Sequence, residues 1–143
     1  MNYVQDPVIL VCVFLWVGFV CAISFMEAWL KFRAPGVTLR IGLNVGRVVF
    51  KALNKMEWLF AILIALRLFF YNESIFRIVN MLYFLPFAFL IFQTFLILPV
   101  LDARAEAYLK WKVQQPSKFH LYYVVLEIVK VICLFIFGLT LFN

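Results

Sequence analysis

From Val8 to Trp29 the sequence is apolar apart from Ser24 and Glu27. That run is long enough for the ~20 residues a helix needs to cross a bilayer core. Three further runs follow, at about 48–71, 75–101 and 119–142. In lipid a single segment satisfies its backbone polar groups only as a helix. The spacing therefore predicts an all-α polytopic membrane protein: a four-helix transmembrane bundle over residues 1–143, forming one domain. Composition agrees. The chain is 67% hydrophobic and 14% charged, whereas soluble domains are roughly half apolar and about a quarter charged. The N-terminus has Asp6 and Pro7 in place of a positively charged leader, so the first run reads as a span and not as a cleaved signal peptide.

The connections carry the charge. Lys31, Arg33, Arg40, Arg47, Lys51 and Lys55 lie between the first run and the apolar part of the second. Arg104, Lys110, Lys112 and Lys118 lie between the third and fourth, and the middle turn and both tails add only Arg77. The positive-inside rule then puts connections one and three in the cytoplasm and both termini on the non-cytoplasmic side. The net charge of +6 is accounted for by these connections, so no nucleic-acid partner is expected. Arg33-Ala34-Pro35-Gly36 should break the first helix, because proline disfavours helix in the residue before it and glycine tolerates a left-handed turn. Thr38 should cap the second helix. Pro86 and Pro99 should bend the third, which continues as Asp102–Lys110 with Glu106 and Lys110 as a surface pair. Asn72-Glu73-Ser74 matches the glycosylation pattern in a turn expected to lie too close to the membrane to carry sugar. Gln114-Gln115-Pro116-Ser117 separates the third helix from the fourth.

Candidate binding residues concentrate near the cytoplasmic ends. Arg40, Asn44, Arg47, Lys51 and Lys55 recur every three or four residues and share one helix face. Gly42 and Gly46 form a small-xxx-small pair that would admit another backbone. On one reading this basic face only fixes topology; on the other, part of it turns inward and binds an anionic group. Arg67 would snorkel to the outer interface, and Gln93 and Thr94 would hydrogen-bond between helices. Glu127 lies two turns beyond His120 among valines and leucines, where a carboxylate needs a protein partner. The available cations are Arg47, Lys51 and Arg104, with Lys130 one turn along; Arg47 or Arg104 is the expected one, because guanidinium is the better buried partner. Arg47, Lys51, Glu57, Arg104, His120 and Glu127 are thus the candidate ligand-binding residues, either as a polar pocket open to the cytoplasm or as ion pairs that merely satisfy charges. One histidine and no Glu-x-x-His motif predict no metal site and no cofactor. Cys12, Cys21 and Cys133 fall within apolar runs and read as inert thiols.

Phe32-Arg33 with a nearby proline, Gly42-Leu43-Asn44-Val45-Gly46-Arg47-Val48-Val49-Phe50, Leu101-Asp102-Ala103-Arg104 and Phe119-His120 together resemble the transmembrane protein 205-like family of four-span membrane proteins. That family has Ser and Asn where this chain has Tyr123 and Glu127. The resemblance implies a four-helix bundle and no settled activity. Lys51-Ala52-Leu53-Asn54-Lys55-Met56-Glu57, with Arg104 and Tyr108, also resembles membrane-associated eicosanoid and glutathione metabolism proteins. That likeness implies an enzyme acting on a lipophilic substrate. The expectation is a ligand-binding, transport-accessory or scaffold component in the lipid bilayer, taking a lipophilic or anionic small molecule. The alternatives are that enzyme, or a homo-oligomer or accessory subunit of a larger membrane complex.

Overall fold

The computed structural model describes residues 6–71, 78–111 and 119–142. Among them the chain forms four helical rods and no strand. Helix α1 is the rod Pro7–Arg33. Asp6 caps its start, accepting hydrogen bonds from the backbone N–H groups of Val8 at 3.0 Å and Ile9 at 3.2 Å. The rod ends in a 3₁₀ turn over Lys31–Arg33, then Ala34 turns extended and Gly36 takes φ +82°. The expected break is therefore where Pro35 and Gly36 put it.

Helix α2 spans Leu39–Tyr71, and the Thr38 hydroxyl accepts from the Ile41 N–H at 3.3 Å. At 1.5 Å per residue it is about 50 Å long. Helix α3 is the rod 78–111, in which Gln93–Ile97 is a π-helical turn. Helix α4 spans Phe119–Leu139. The turn at Asn72–Ser74 and the Gln114–Ser117 break lie outside the described residues.

Three rods, Pro7–Arg33, Met81–Lys110 and Leu121–Leu139, are long and apolar enough to cross a membrane. The outward side chains fit that reading, since Leu15 on the first, Phe95 on the second and Ile132 on the third are all exposed. A water-soluble surface rarely presents so continuous an apolar area. The chain is thus compatible with a multi-pass membrane protein.

Inward residues recur every three or four positions, which is the period of a helix-packing seam. On α1 they are Ile9, Val13, Trp16, Val20 and Ser24; on α3, Tyr83, Pro86, Leu90, Gln93 and Ile97; on α4, Tyr123, Glu127, Lys130, Leu134 and Phe137. On α2 the buried seam runs Leu53, Glu57, Phe60, Ile64 and Leu68. Helix α1 packs against α2 and α4, and α3 packs against the same two. Tyr83 donates its hydroxyl proton to the Ala61 carbonyl, tying α3 to α2. Its ring lies 6.0 Å from Phe137 on α4.

Helices α1 and α2 are antiparallel along nearly their whole length. At one end the Arg67 Nε donates to Asp6 at 2.9 Å. Arg67 is thus paired with the N-cap carboxylate of α1, and both side chains remain partly exposed. At the other end the Phe32 ring lies over Gly42 and the Lys31 ammonium over Gly46. The two glycines make room for side chains returning from the end of α1, where a close backbone approach was expected.

Candidate functional site

A pocket of about 1370 Å³ opens where the α1–α2 turn meets the last turns of α3. Lys31, Arg47, Lys51 and Arg104 all border it, and among the described residues Asp102 is the single carboxylate in its wall. Apolar side chains from three rods, among them Phe32, Leu43, Phe50 and Leu98, complete the wall. Asp102 is held from α2: Arg47 Nε donates to it at 2.8 Å, and Lys51 Nζ lies 3.2 Å away. Lys31 sits 3.6 Å from Glu27 and 5.6 Å from the centre of the Phe50 ring. Cations thus outnumber the carboxylates facing them, even with Glu27 counted. Among the described residues no serine, cysteine or histidine lines the pocket.

The remaining basic side chains of that helix face turn away. Arg40 and Lys55 are exposed and absent from the pocket wall, so one turn of α2 separates Lys51, which lines the pocket, from Lys55, which does not. The face is an edge of the helix, and only its Arg47–Lys51 portion meets α3.

Beneath the pocket lies a second polar assembly, sealed from solvent. Glu57, Gln93, Glu127 and Lys130 are each no more than 1% exposed. Lys130 Nζ lies 2.5 Å from Glu57 Oε1, 2.6 Å from Gln93 Oε1 and 2.7 Å from Glu127 Oε1. An ammonium has three donors, so Lys130 is saturated. Gln93 Nε2 donates to Glu127 Oε1 at 2.7 Å, and the Trp16 indole donates to Glu57 Oε1 at 2.9 Å. The Ser24 hydroxyl donates to Glu127 Oε2 at 3.2 Å. All four rods contribute, and the pairing is dense enough to hold charges in a dry interior. Glu57 Oε2 is the exception, being buried without a hydrogen-bond partner.

Ser24 and Gln93 reach Glu127 from unusual backbone. Ser24 lies in a π-helical stretch, Cys21–Glu27, and Gln93 opens the π-helical turn Gln93–Ile97. A π turn adds a residue to the helical repeat and re-aims what it carries, often at functional sites. In α3, Pro99 lacks the N–H that would bond four residues back. The Leu98 N–H reaches the Gln93 carbonyl instead. Next along, Thr94 accepts from the Trp58 indole at 2.9 Å, and its one hydroxyl proton faces both the Leu90 carbonyl at 2.7 Å and Asn54 Oδ1 at 3.0 Å. The interhelical role expected of Gln93 and Thr94 is the one observed.

Of the sequence candidates, Arg47, Lys51 and Arg104 gather at the pocket, whereas Glu57 and Glu127 meet in the sealed assembly. His120 opens α4, but its side chain lies outside the described residues. Glu127 is buried and bound from other rods, as its depth requires, but its cation is Lys130 and neither arginine. Lys130 shares the inward seam with Glu127 three residues away, and the arginines are engaged one level up at the pocket. Sequence reasoning missed Trp16 and underrated Lys130 and Ser24. Lys130 and Ser24 fall on the apolar seams of their helices, and that position was their only signal. Cys12, Cys21 and Cys133 are free thiols. Among the described residues no three metal-ligating side chains group together. No family model, no curated protein and no solved structure matches this chain.

Proposed function

We propose that this chain is a four-span integral membrane bundle that binds an anionic amphiphile in the basic pocket between α1, α2 and α3. The observation that carries this reading is the pocket itself: four cations gathered around apolar walls, in a volume above the roughly 300–1000 Å³ of ordinary small-molecule sites. A phosphate or carboxylate head among Lys31, Arg47, Lys51 and Arg104, with its tail along Phe32, Leu43 and Leu98, satisfies both surfaces. The absence of Ser, Cys and His from the described lining favours binding over nucleophilic catalysis. Helix α2 supplies the fourth span because it runs beside α1 from the Phe32–Gly42 contact to the Asp6–Arg67 pair. If one crosses the bilayer, so does the other. Both termini then face the non-cytoplasmic side, with the pocket opening at the cytoplasmic surface. In a cysteine-free background, Pro35→Cys should label from the cytoplasm and Asn2→Cys from the opposite side; labelling of both from one side would rule out this topology.

The binding test uses protein in nanodiscs of mixed phosphatidylcholine and spin-labelled phosphatidic acid. Lys51→Glu should reduce retention of the anionic lipid, while Lys55→Glu, the same charge change one turn away and outside the pocket, should not. Equal losses would show that only the general surface charge matters. A second reading has one observation of its own: Asn54, Arg104 and Tyr108 line this same pocket, as do Phe32 and Lys51. It is an enzyme using glutathione on a lipophilic substrate. Calorimetric binding of glutathione that Arg104→Gln abolishes would favour it over the lipid-binding reading.

A further inference from the structure

We propose that Glu57 and Glu127 together form a buried site for one exchangeable proton, with Lys130 as its fixed counter-charge. The argument begins with a charge count inside a sealed space. Two carboxylates lie within hydrogen-bonding distance of one ammonium, and all three groups are essentially inaccessible. With all three ionised, the assembly carries one uncompensated negative charge in an apolar interior, where such a charge is strongly disfavoured. Among the described residues no other cation contacts it. The groups facing it from α1 are the Trp16 indole, the Ser24 hydroxyl and the Cys21 thiol, and from α3 the Gln93 amide. From α4 the remaining neighbour is the Tyr123 phenol. None is positive. A proton removes the imbalance.

The hydrogen bonding says where it has room. Lys130 has no donor left, and Glu127 Oε1 accepts from both Lys130 and Gln93 while Oε2 accepts from Ser24. Glu57 Oε1 accepts from Lys130 and Trp16, whereas Glu57 Oε2 has no partner. Both carboxylates contact the same ammonium, so the proton belongs to the pair, with Glu57 Oε2 the vacant position. A larger cation fits poorly, because hard metal ions want six or more oxygens and one is vacant here.

The site also has a route of exchange. Tyr123 lines the basic pocket, and its phenol neighbours Ser24. Ser24 in turn touches Glu127. Water in the pocket can therefore deliver a proton along hydroxyls to the pair and take it back, with no heavy-atom bond made or broken.

Infrared difference spectroscopy of the purified chain in detergent tests this at neutral pH. The wild type should show the C=O stretch of a protonated carboxyl group, shifting to lower frequency in D₂O. Glu57→Gln and Glu127→Gln should each lose it, because either change leaves Lys130 opposite one carboxylate. Glu27→Gln and Glu106→Gln should keep it. Tyr123→Phe should keep the band and slow its shift in D₂O. Absence of the band from the wild type, its persistence in both Glu57→Gln and Glu127→Gln, or its removal by exchanging choline chloride for sodium chloride would each overturn the proposal. Both variants retain a neutral pair, so at least one should fold by circular dichroism, and that one decides; failure of both to fold would also overturn it.

Discussion

Lys130→Met removes the ammonium and keeps a stem of similar length and volume. What remains is Glu57 Oε1, Glu127 Oε1 and Gln93 Oε1, which lose donors at 2.5, 2.7 and 2.6 Å. Removing one partner of a buried ion pair costs about 3–5 kcal/mol. At about 1.4 kcal/mol per tenfold, that lowers the folded-to-unfolded ratio by roughly two to three and a half orders of magnitude. The assay is denaturant unfolding in detergent micelles, followed by circular dichroism. A second background makes the test sharper. With Glu57→Gln and Glu127→Gln both in place, Lys130 becomes a buried cation facing only amides. Adding Lys130→Met there should raise stability, because it takes away an uncompensated charge. The same substitution thus changes sign with its surroundings. Destabilisation of similar size in both backgrounds would mean that Lys130 contributes through packing, and the electrostatic account of the assembly would be wrong.

Gly42→Ala should destabilise by about 1–3 kcal/mol, the usual cost of overpacking, because a Cβ there would lie 2.1 Å from the Phe32 ring. Gly46→Ala should cost less, since the atom in the way is the mobile end of Lys31, and the same unfolding assay compares the two. Asp6→Ala should cost about 0.5–2 kcal/mol through loss of the helix cap, measured by thermal unfolding. Asp6→Asn keeps a capping oxygen and gives up only the partly exposed pair with Arg67, so it should cost no more than about 1 kcal/mol; equal effects of the two would show that capping is not what Asp6 contributes.

The helical architecture was legible because its determinants are local. Apolar run lengths, Pro35-Gly36 and the Thr38 cap mark where rods start and stop, and each acts within a few residues of itself. The membership of the pocket was legible in part for the same reason: Arg47 and Lys51 are one turn apart, and Asp102 and Arg104 end a recognisable apolar run. The partner of Glu127 was not. Lys130 lies one turn from Glu127 on the same helix, so its nearness is local; that Asp102 takes Arg47 at the pocket and leaves Glu127 to Lys130 is a tertiary fact that no local pattern encodes. Guanidinium is the better buried partner in general, but depth and register decided here. Trp16 was hidden for a related reason. An indole in an apolar run looks like packing until a carboxylate from another helix is found against its N–H.

The π-helical turn Gln93–Ile97 has a consequence for how this chain tolerates change in length. A π turn takes up one extra residue locally, so the helix beyond it keeps the phase it would have without that residue. Deleting one residue within the turn would return it to ordinary helix and leave Asp102 facing Arg47 and Lys51. Deleting a residue from an ordinary stretch of the same rod would instead swing everything downstream by about 100° and carry Asp102 off both cations. The turn is therefore the place in α3 where the loss of a single codon is absorbed, with the half that seals the ionic interior and the half that walls the pocket still in phase.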